Sequence, residues 1–397
     1  MIWRGDVLVV GGDLPGVAAA VEAAKHGAKT ALICEDGFLG GIVAGGLLCR
    51  LGKMAEAEAP GGFAEDLLYR LDRLGGRRGE VAHPEALKSA LDDMLLSVGV
   101  KPFLHTRPVG ALTEHGWARG ALAVTKRGYL GLHAKRVVDA TPEGRIEMSL
   151  RGGPLRGGRG KLLVCSAGLL EGAAVRAPVF VKCPEPLSLL GREVWLHPGP
   201  SEGQAILVAR RLREFDPSDP AALSLEAARG RWAVRRAFEL LKRSRAELSR
   251  AYVAATSLGP WLVDPADTSN RPRRRPLRPW EVLEGKVPEG SVALLLADIY
   301  RADLAGNRLD MLSPERPFGL PYGWLLPEGI EGLLCASPIW VLSSTPLVWV
   351  EDPLAAALAG QVAGLAAALS VRMGLLPSRM PLPPLRERLK EEGFPAP

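Results

Sequence analysis

DVLVVGGDLPGVAAAVEAAKHGAKTALICE, residues 6–35, decides the fold. Its first five residues, DVLVV (6–10), form a short Val-rich apolar run, as expected of a strand buried on both faces of a parallel sheet. GGDLPG (11–16) follows. VAAAVEAAKHG (17–27) then reads as an Ala-rich helix that Gly27 closes as a C-cap. KTALICE (29–35) is a second strand with an acid at its end. Strand, glycine turn, helix, strand and acid in this order make a βαβ unit that suits an adenine dinucleotide. Glu35 follows Gly11 by 24 positions, where about 20 are expected.

Each part has a physical task. Gly11 permits the tight turn out of the strand, Gly12 lies beside it, and Gly16 lets the helix pack close to the sheet. The helix N-terminus, which begins at Leu14, offers free N–H groups and a positive dipole end to a pyrophosphate. Glu35 can accept hydrogen bonds from ribose hydroxyls. Asp13 stands where the fingerprint has its middle glycine. Its carboxylate either opposes a phosphate or turns away to cap the helix that begins near Leu14, and capping is the expected arrangement. Pro15 then falls in the first turn, where proline is tolerated.

Outward from this unit, DGFLGG (36–41) and IVAGGLL (42–48) hold two glycine pairs, which implies backbone lying close along a bound molecule at Gly40 and Gly41. PEALKSALDDMLLSV (84–98) is an amphipathic helix with Pro84 at its start and Gly99 after its end. VKPFLHT (100–106) and LHAKRVVDAT (132–141) read as strands, the latter ending at Asp139, Ala140 and Thr141. Residues 160–310 differ in character. They mix strands such as APVFVKC (177–183) with one long helix over 225–255, and so define a second domain. The first style returns in GLLCAS (332–337) and in an Ala-rich helix over 353–374. The proline-rich, charged end of the chain, including 386–397, is expected to be peripheral.

Composition narrows the classes. The 397 residues are 47% hydrophobic and 24% charged, an ordinary globular balance. No apolar run reaches the roughly 18 residues of a membrane-spanning helix. The N-terminus enters a strand at once, without the layout of a signal peptide, so a cytoplasmic protein is expected. The net charge is +6 and the pI about 9.1, but only RPRRRPLR (271–278) is dense in arginine. Two prolines make that stretch a loop, so a nucleic-acid partner is not expected. Five cysteines lack any C-x-x-C pair, and no metal site is expected.

The ordered set of motifs resembles the FAD-dependent oxidoreductases with the two-domain, glutathione-reductase-like FAD fold. The set comprises residues 6–35, GFLGG, HPEALKSALDDMLLSVGVKPFLHTRPVGAL, RVVDATPEG, RPWEVLEGKVPEGSVALLLADIY, LPYGWLLPEGIEGLLCAS and ALAGQVAGLAAAL. The resemblance implies an α/β fold, with a Rossmann-like FAD/NAD(P)-binding three-layer domain over 1–160 plus 310–385. An inserted α+β substrate domain would span 161–309. It implies FAD as cofactor, with Gly11, Gly12, Asp13, Leu14, Pro15 and Gly16 at the pyrophosphate and Glu35 at the adenosine ribose. Gly40 and Gly41 would border the cofactor, the Val109 backbone would meet the adenine, and Thr141 would lie beside the dinucleotide. The helix after Pro353 would aim its N-terminus at the flavin. Several positions depart from the family pattern. D-A-T-G-D-G-D appears as DATPEGR, with Pro142, Glu143 and Arg145 at changed positions. A-G-R appears as Ala336, Ser337 and Pro338, and an arginine before the last helix is replaced near Glu351.

Flavin chemistry requires no protein nucleophile, and none is marked. His197 is the foremost candidate for a general base or substrate contact. Tyr322, with Trp324 beside it, is a candidate to face the flavin, and Arg274 with Arg273 and Arg275 is a candidate anion binder. Two functions follow. One is hydride transfer between a small organic substrate and flavin. The other is a flavin-free relative serving as a binding or scaffold subunit, partnered with an active paralogue. Homo- and hetero-oligomers are both open.

Overall fold

A computed structural model describes residues 2–57, 60–153, 160–183, 189–263, 271–303, 308–312, 314–336 and 347–394. The chain begins β1 (Ile2–Val10), α1 (Leu14–Lys25), β2 (Thr30–Ile33), α2 (Gly41–Ala44), α3 (Gly62–Arg73), β3 (Arg77–Arg78), β4 (Val81–Ala82) and α4 (Pro84–Ser97). It continues through β5 (Lys101–Phe103), β6 (Arg107–Glu114), β7 (Trp117–Thr125), β8 (Gly128–Asp139) and α5 (Arg145–Leu150). A run of strands follows: β9 (Gly160–Glu171), β10 (Val179–Lys182), β11 (Leu189–Pro198) and β12 (Gln204–Phe215). Then come α6 (Pro220–Lys242), β13 (Tyr252–Thr256), β14 (Trp261–Val263), α7 (Pro279–Leu283), β15 (Ser291–Leu295), β16 (Ile299–Asp303) and β17 (Arg308–Leu312). The described chain closes with β18 (Phe318–Pro321), β19 (Leu333–Cys335), β20 (Leu347–Val350), α8 (Pro353–Arg372) and α9 (Leu382–Glu391).

The first sheet has the order β5-β2-β1-β8-β7-β6, and β19 pairs with β8. β1 runs parallel to β2 in the register Val7↔Thr30 to Val10↔Ile33, and parallel to β8 up to Val10↔Asp139. β6 and β7 complete it as antiparallel strands. This is the Rossmann-like arrangement, and it places Gly11, Cys34 and Ala140 at one edge, just past three neighbouring strands. Val7, Leu8, Val9 and Val10 are wholly buried, as a doubly covered strand requires.

Helix α1 lies between this sheet and α8. Gly360 and Gly364 bring α8 onto the backbone of Pro15 and Ala19, and any side chain at either glycine would collide with those carbonyls. Among the described residues, α8 is the one helix that length and composition would permit to cross a membrane, yet 94% of its apolar stretch is buried inside the protein. Its role is therefore that of a core helix.

The second sheet is antiparallel, ordered β10-β11-β12-β9-β13, with β14 also on β9. Helix α6 covers one face through Val234, Ala237, Phe238 and Leu241. The opposite face, with Ala167, Trp195, Ile206 and Val208, packs on Leu47 and Cys49 of the segment that follows α2.

Two expectations are corrected here. The helix expected over 225–255 ends at Lys242, and Tyr252–Thr256 is a strand pairing with β9. The 386–397 segment is not peripheral over its described part. α9 buries Leu385 and Leu389, and Phe394 follows them into the main core. Polar contacts reinforce that docking. His26 Nε2 lies 2.8 Å from Glu22 Oε1 and 2.7 Å from Glu392 Oε1. Gln361 Nε2 donates to the other oxygens of both carboxylates, at 2.9 and 2.8 Å, while its carbonyl accepts from Phe63 N–H at 2.8 Å. One network thus ties α1, α3, α8 and the C-terminal segment together.

Glu22 and Glu392 raise the His26 imidazolium to about pKa 9, against 6.5 in the unfolded chain. Stability from this pair is complete below pH 6.5 and is lost as pH rises through 9. The melting-temperature gap between wild type and His26→Gln should therefore be largest in mild acid and shrink above pH 9. A second change, Gly364→Ala, should cost roughly 1–3 kcal/mol in urea unfolding by forcing α8 off α1.

Candidate cofactor site

The site is built at the carboxyl edge of β1, β2 and β8, where ligands of open α/β sheets bind. Gly11 has φ 118°, and a Cβ there would lie 2.7 Å from the Ala140 carbonyl. Only glycine suits both the left-handed backbone and the approach. Gly16 presses α1 onto the Gly11 carbonyl, and Gly12 packs against Cys34 Sγ. Gly40 donates to Gly12 O at 2.8 Å, fastening the second glycine loop to the first. These glycines therefore form a backbone cradle packed so tightly that a Cβ at Gly11, Gly12 or Gly16 would strike neighbouring protein atoms.

Asp13 caps α1. Its carboxylate accepts from Leu14 N–H at 2.8 Å and from Ile42 N–H at 3.3 Å. Burial, opposed by these two hydrogen bonds, raises its pKa. Pro15 sits in the first turn, and Leu14, Pro15 and Gly16 are buried. Glu35 is exposed at the end of β2, where Arg145 Nη1 pairs with it at 2.9 Å and Arg107 Nε approaches to 3.8 Å. Val109 is half exposed on β6, at a register shift between Pro108 and Gly110.

Thr141 and Asp139 organise the turn after β8. Asp139 is fully buried. Its Oδ1 accepts from the Thr141 hydroxyl at 2.7 Å and from Thr141 N–H at 3.1 Å. Oδ2 accepts from Ile146 N–H at 2.8 Å and Glu147 N–H at 3.0 Å, the opening of α5. The Thr141 hydroxyl also accepts from Arg145 N–H at 2.8 Å. The Thr141 carbonyl accepts from Gly144 N–H at 3.1 Å, so hydroxyl, N–H and carbonyl of Thr141 all serve the turn itself. Of the departures from the family pattern, Pro142, Glu143 and Arg145 lie in this turn, whereas Ser337 and Pro338 lie outside the described residues.

The N-terminus of α8 is capped by Asp352, which accepts from Ala355 N–H at 3.0 Å and from Lys53 N–H at 2.6 Å. Burial raises its pKa to about 7. The neighbouring Glu351 binds Arg210 at 2.7 Å. Between the glycine loop and Arg50, Leu47 and Cys49 both hold positive φ, near 50°, a strained conformation for residues with a Cβ.

The catalytic candidates are not brought together. His197 is buried on β11, not in a surface loop, with its ring 4.9 Å from that of Trp195. Burial lowers its pKa to about 3, so it is neutral. Tyr322 is buried in the main core, where its hydroxyl donates to Pro377 O at 2.8 Å. Arg274 pairs with Glu331 at 2.6 Å, Arg273 with Glu147 at 2.8 Å and Arg275 with Glu281 at 2.5 Å. Arg273, Arg274 and Arg275 are each paired with a carboxylate, so the loop offers no free anion seat at these three positions. Sequence reasoning missed Arg210. It is buried with Cζ 4.6 Å from the Tyr300 ring centre and 5.5 Å from that of Trp195. Its position on a strand of mixed charge gave no signal.

The βαβ cradle defines a dinucleotide-binding protein of Rossmann type. Residues 6–163 match the family model described as FAD dependent oxidoreductase, a match that supports FAD as the dinucleotide for this edge. A geranylgeranyl bacteriochlorophyll reductase-like protein from Thermoplasma acidophilum is similar over 98% of this chain and 83% of its own, at 14% identity and TM-score 0.58. A flavoprotein/dehydrogenase from Cytophaga hutchinsonii is similar over 94% and 79%, at 11% identity and TM-score 0.51. A flavin-dependent brominase covers 98% and 83%, at 12% identity and TM-score 0.50. At such identities these likenesses show the fold. Comparison with curated proteins finds no match.

The fit to FAD rests on the backbone of Gly11 and Gly41, which stays partly exposed at this edge, whereas Gly12, Gly16 and Gly40 are buried. The one contested point is the Asp13 carboxylate at the start of α1. Asp139→Ala should leave two N–H groups of α5 and the Thr141 hydroxyl without their acceptor. A loss of about 3 kcal/mol is expected in denaturant unfolding.

Proposed function

We propose that the protein is an oxidoreductase that moves a hydride between a small organic substrate and bound FAD. The observation that carries this reading is the glycine cradle at the edge of β1, β2 and β8. In this reading Gly11, Gly12 and Gly16 hold the pyrophosphate. Glu35 takes the ribose, Gly40 and Gly41 border the chain of the cofactor, Val109 meets the adenine, and Thr141 lies beside the dinucleotide. Bound flavin supplies the hydride acceptor or donor. Residues 1–160 with 310–385 form the cofactor part and 161–309 the substrate part.

The face of the second sheet turned toward Leu47 and Cys49 supports a substrate side. Trp195, His197 and Arg210 stand on it, and Arg50 Cζ lies 4.8 Å from the Trp195 ring centre. Among the described residues, Nε and Nη1 of Arg210 and Nε2 of His197 are buried without a hydrogen-bond partner. Groups of this kind are rare in folded proteins and costly to leave unmet. His197 Nδ1 faces Pro198 O at 3.1 Å, which places the ring proton there and leaves Nε2 an acceptor. A polar substrate with both donor and acceptor groups suits this face.

A second reading, a flavin-free binding or scaffold subunit, is favoured by one observation: the N-termini of α1 and α8 are both capped by internal carboxylates, Asp13 and Asp352. The visible spectrum separates the two. The protein, mixed with FAD and passed through gel filtration, should keep flavin bands. A colourless protein that takes up no FAD supports the scaffold reading instead.

A further inference from the structure

We propose that Asp13 is an internal occupant of the pyrophosphate seat, and that an adenine dinucleotide takes this seat as the Asp13 carboxylate gives up its charge. This deepens the FAD reading above and rests on it. The seat is defined by two backbone donors from different elements, Leu14 N–H of α1 and Ile42 N–H of α2, and both point at the Asp13 carboxylate. Pro15 has no N–H, so the first turn of α1 has no donor to spare at that position. The opposite wall is Gly41. A Cβ there would lie 2.8 Å from both Cγ and Oδ2 of Asp13. The glycine that would let a phosphate approach is therefore shaped around a carboxylate.

The charges facing the seat do not offset a second anion. Across from Asp13, at the end of β2, stands Asp36, which raises its pKa further. Cys34, on the same segment, is pushed up to about 12 by burial and neighbouring acids and is neutral. Glu35 and Glu143 stand near Asp36, with Arg145 and His105 opposing them. α1 has no acid in its first turn, and α2, GIVA, has no titratable side chain. The pyrophosphate of FAD is a diester and keeps both charges across the working range. Either charge beside an ionised Asp13 would be repelled, so binding draws a proton onto the carboxylate. Affinity then falls as pH rises.

The test is calorimetric titration of FAD, and of ADP-ribose as a flavin-free probe with the same pyrophosphate. It is run from mildly acid to mildly alkaline pH, in buffers of different ionisation enthalpy. Wild type should take up protons on binding and lose at least tenfold in affinity toward the alkaline end. Asp13→Asn keeps a helix-capping side chain and removes the charge. It should bind both probes at least tenfold more tightly in alkali, with a flat pH profile and no proton uptake. Asp13→Ser should behave alike, and circular dichroism with melting confirms that each variant folds. Flat, proton-neutral binding of FAD by wild type, equal to that of Asp13→Asn, overturns the proposal and leaves the flavoprotein reading standing. Failure of every form to bind FAD or ADP-ribose at any pH overturns both.

Discussion

Everything at the cofactor edge depends on how closely backbone meets backbone around α1. Gly16 sets the first turn of the helix on the Gly11 carbonyl, and Gly360 with Gly364 set α8 on its outer side. The helix is thereby held between a strand turn and a second helix with no side chain as spacer. Its N–H groups keep a fixed position at the end of β1. That position gives the helix terminus its affinity for negative charge, whether the charge belongs to a ligand or to Asp13. A methyl group at any of these glycines would act on the site as much as on the core.

Much of this was legible in residues 6–35, because a βαβ unit carries its own signals: an apolar strand, a glycine turn, a helix and an acid. The capping role of Asp13 could also be read from its place before Leu14. What could not be read were the long-range partners. Arg273, Arg274 and Arg275 look like a basic patch, and their carboxylates, Glu147, Glu331 and Glu281, come from three other parts of the chain. Arg145 breaks the family pattern in the sequence, and only the fold shows that it reaches Glu35. The helix expected to run on to 255 stops because Tyr252–Thr256 finds a vacant edge on β9, which outweighs local helical preference. In the tail, Leu385 and Leu389 stand four residues apart, a helical core signal that proline and charge obscured.

The two faces of the second sheet divide the work. α6 closes one face with aliphatic packing. The other carries Trp195, His197 and Arg210 against the segment after α2, so a polar, aromatic surface lies next to the cofactor edge. Arg50 strengthens that junction by pairing with Glu80 at 2.6 Å and Asp298 at 2.9 Å. Its charge stays fixed, because both acids hold it above its ordinary pKa. The neutral imidazole of His197 therefore sits beside two permanent cations, and its proton affinity depends on what else enters.

The placement of α8 and the C-terminal segment bears on the order in which the protein matures. β1, α1 and β2 leave the ribosome well before the helix that pins α1 and the carboxylate that pairs with His26, which come from residues 353–392. The strand β19, which extends β8, also comes late. The glycine cradle thus precedes its brace by most of the intervening sheet structure. A truncation that spares every cradle residue but removes α8 and α9 would therefore leave the cradle without its brace.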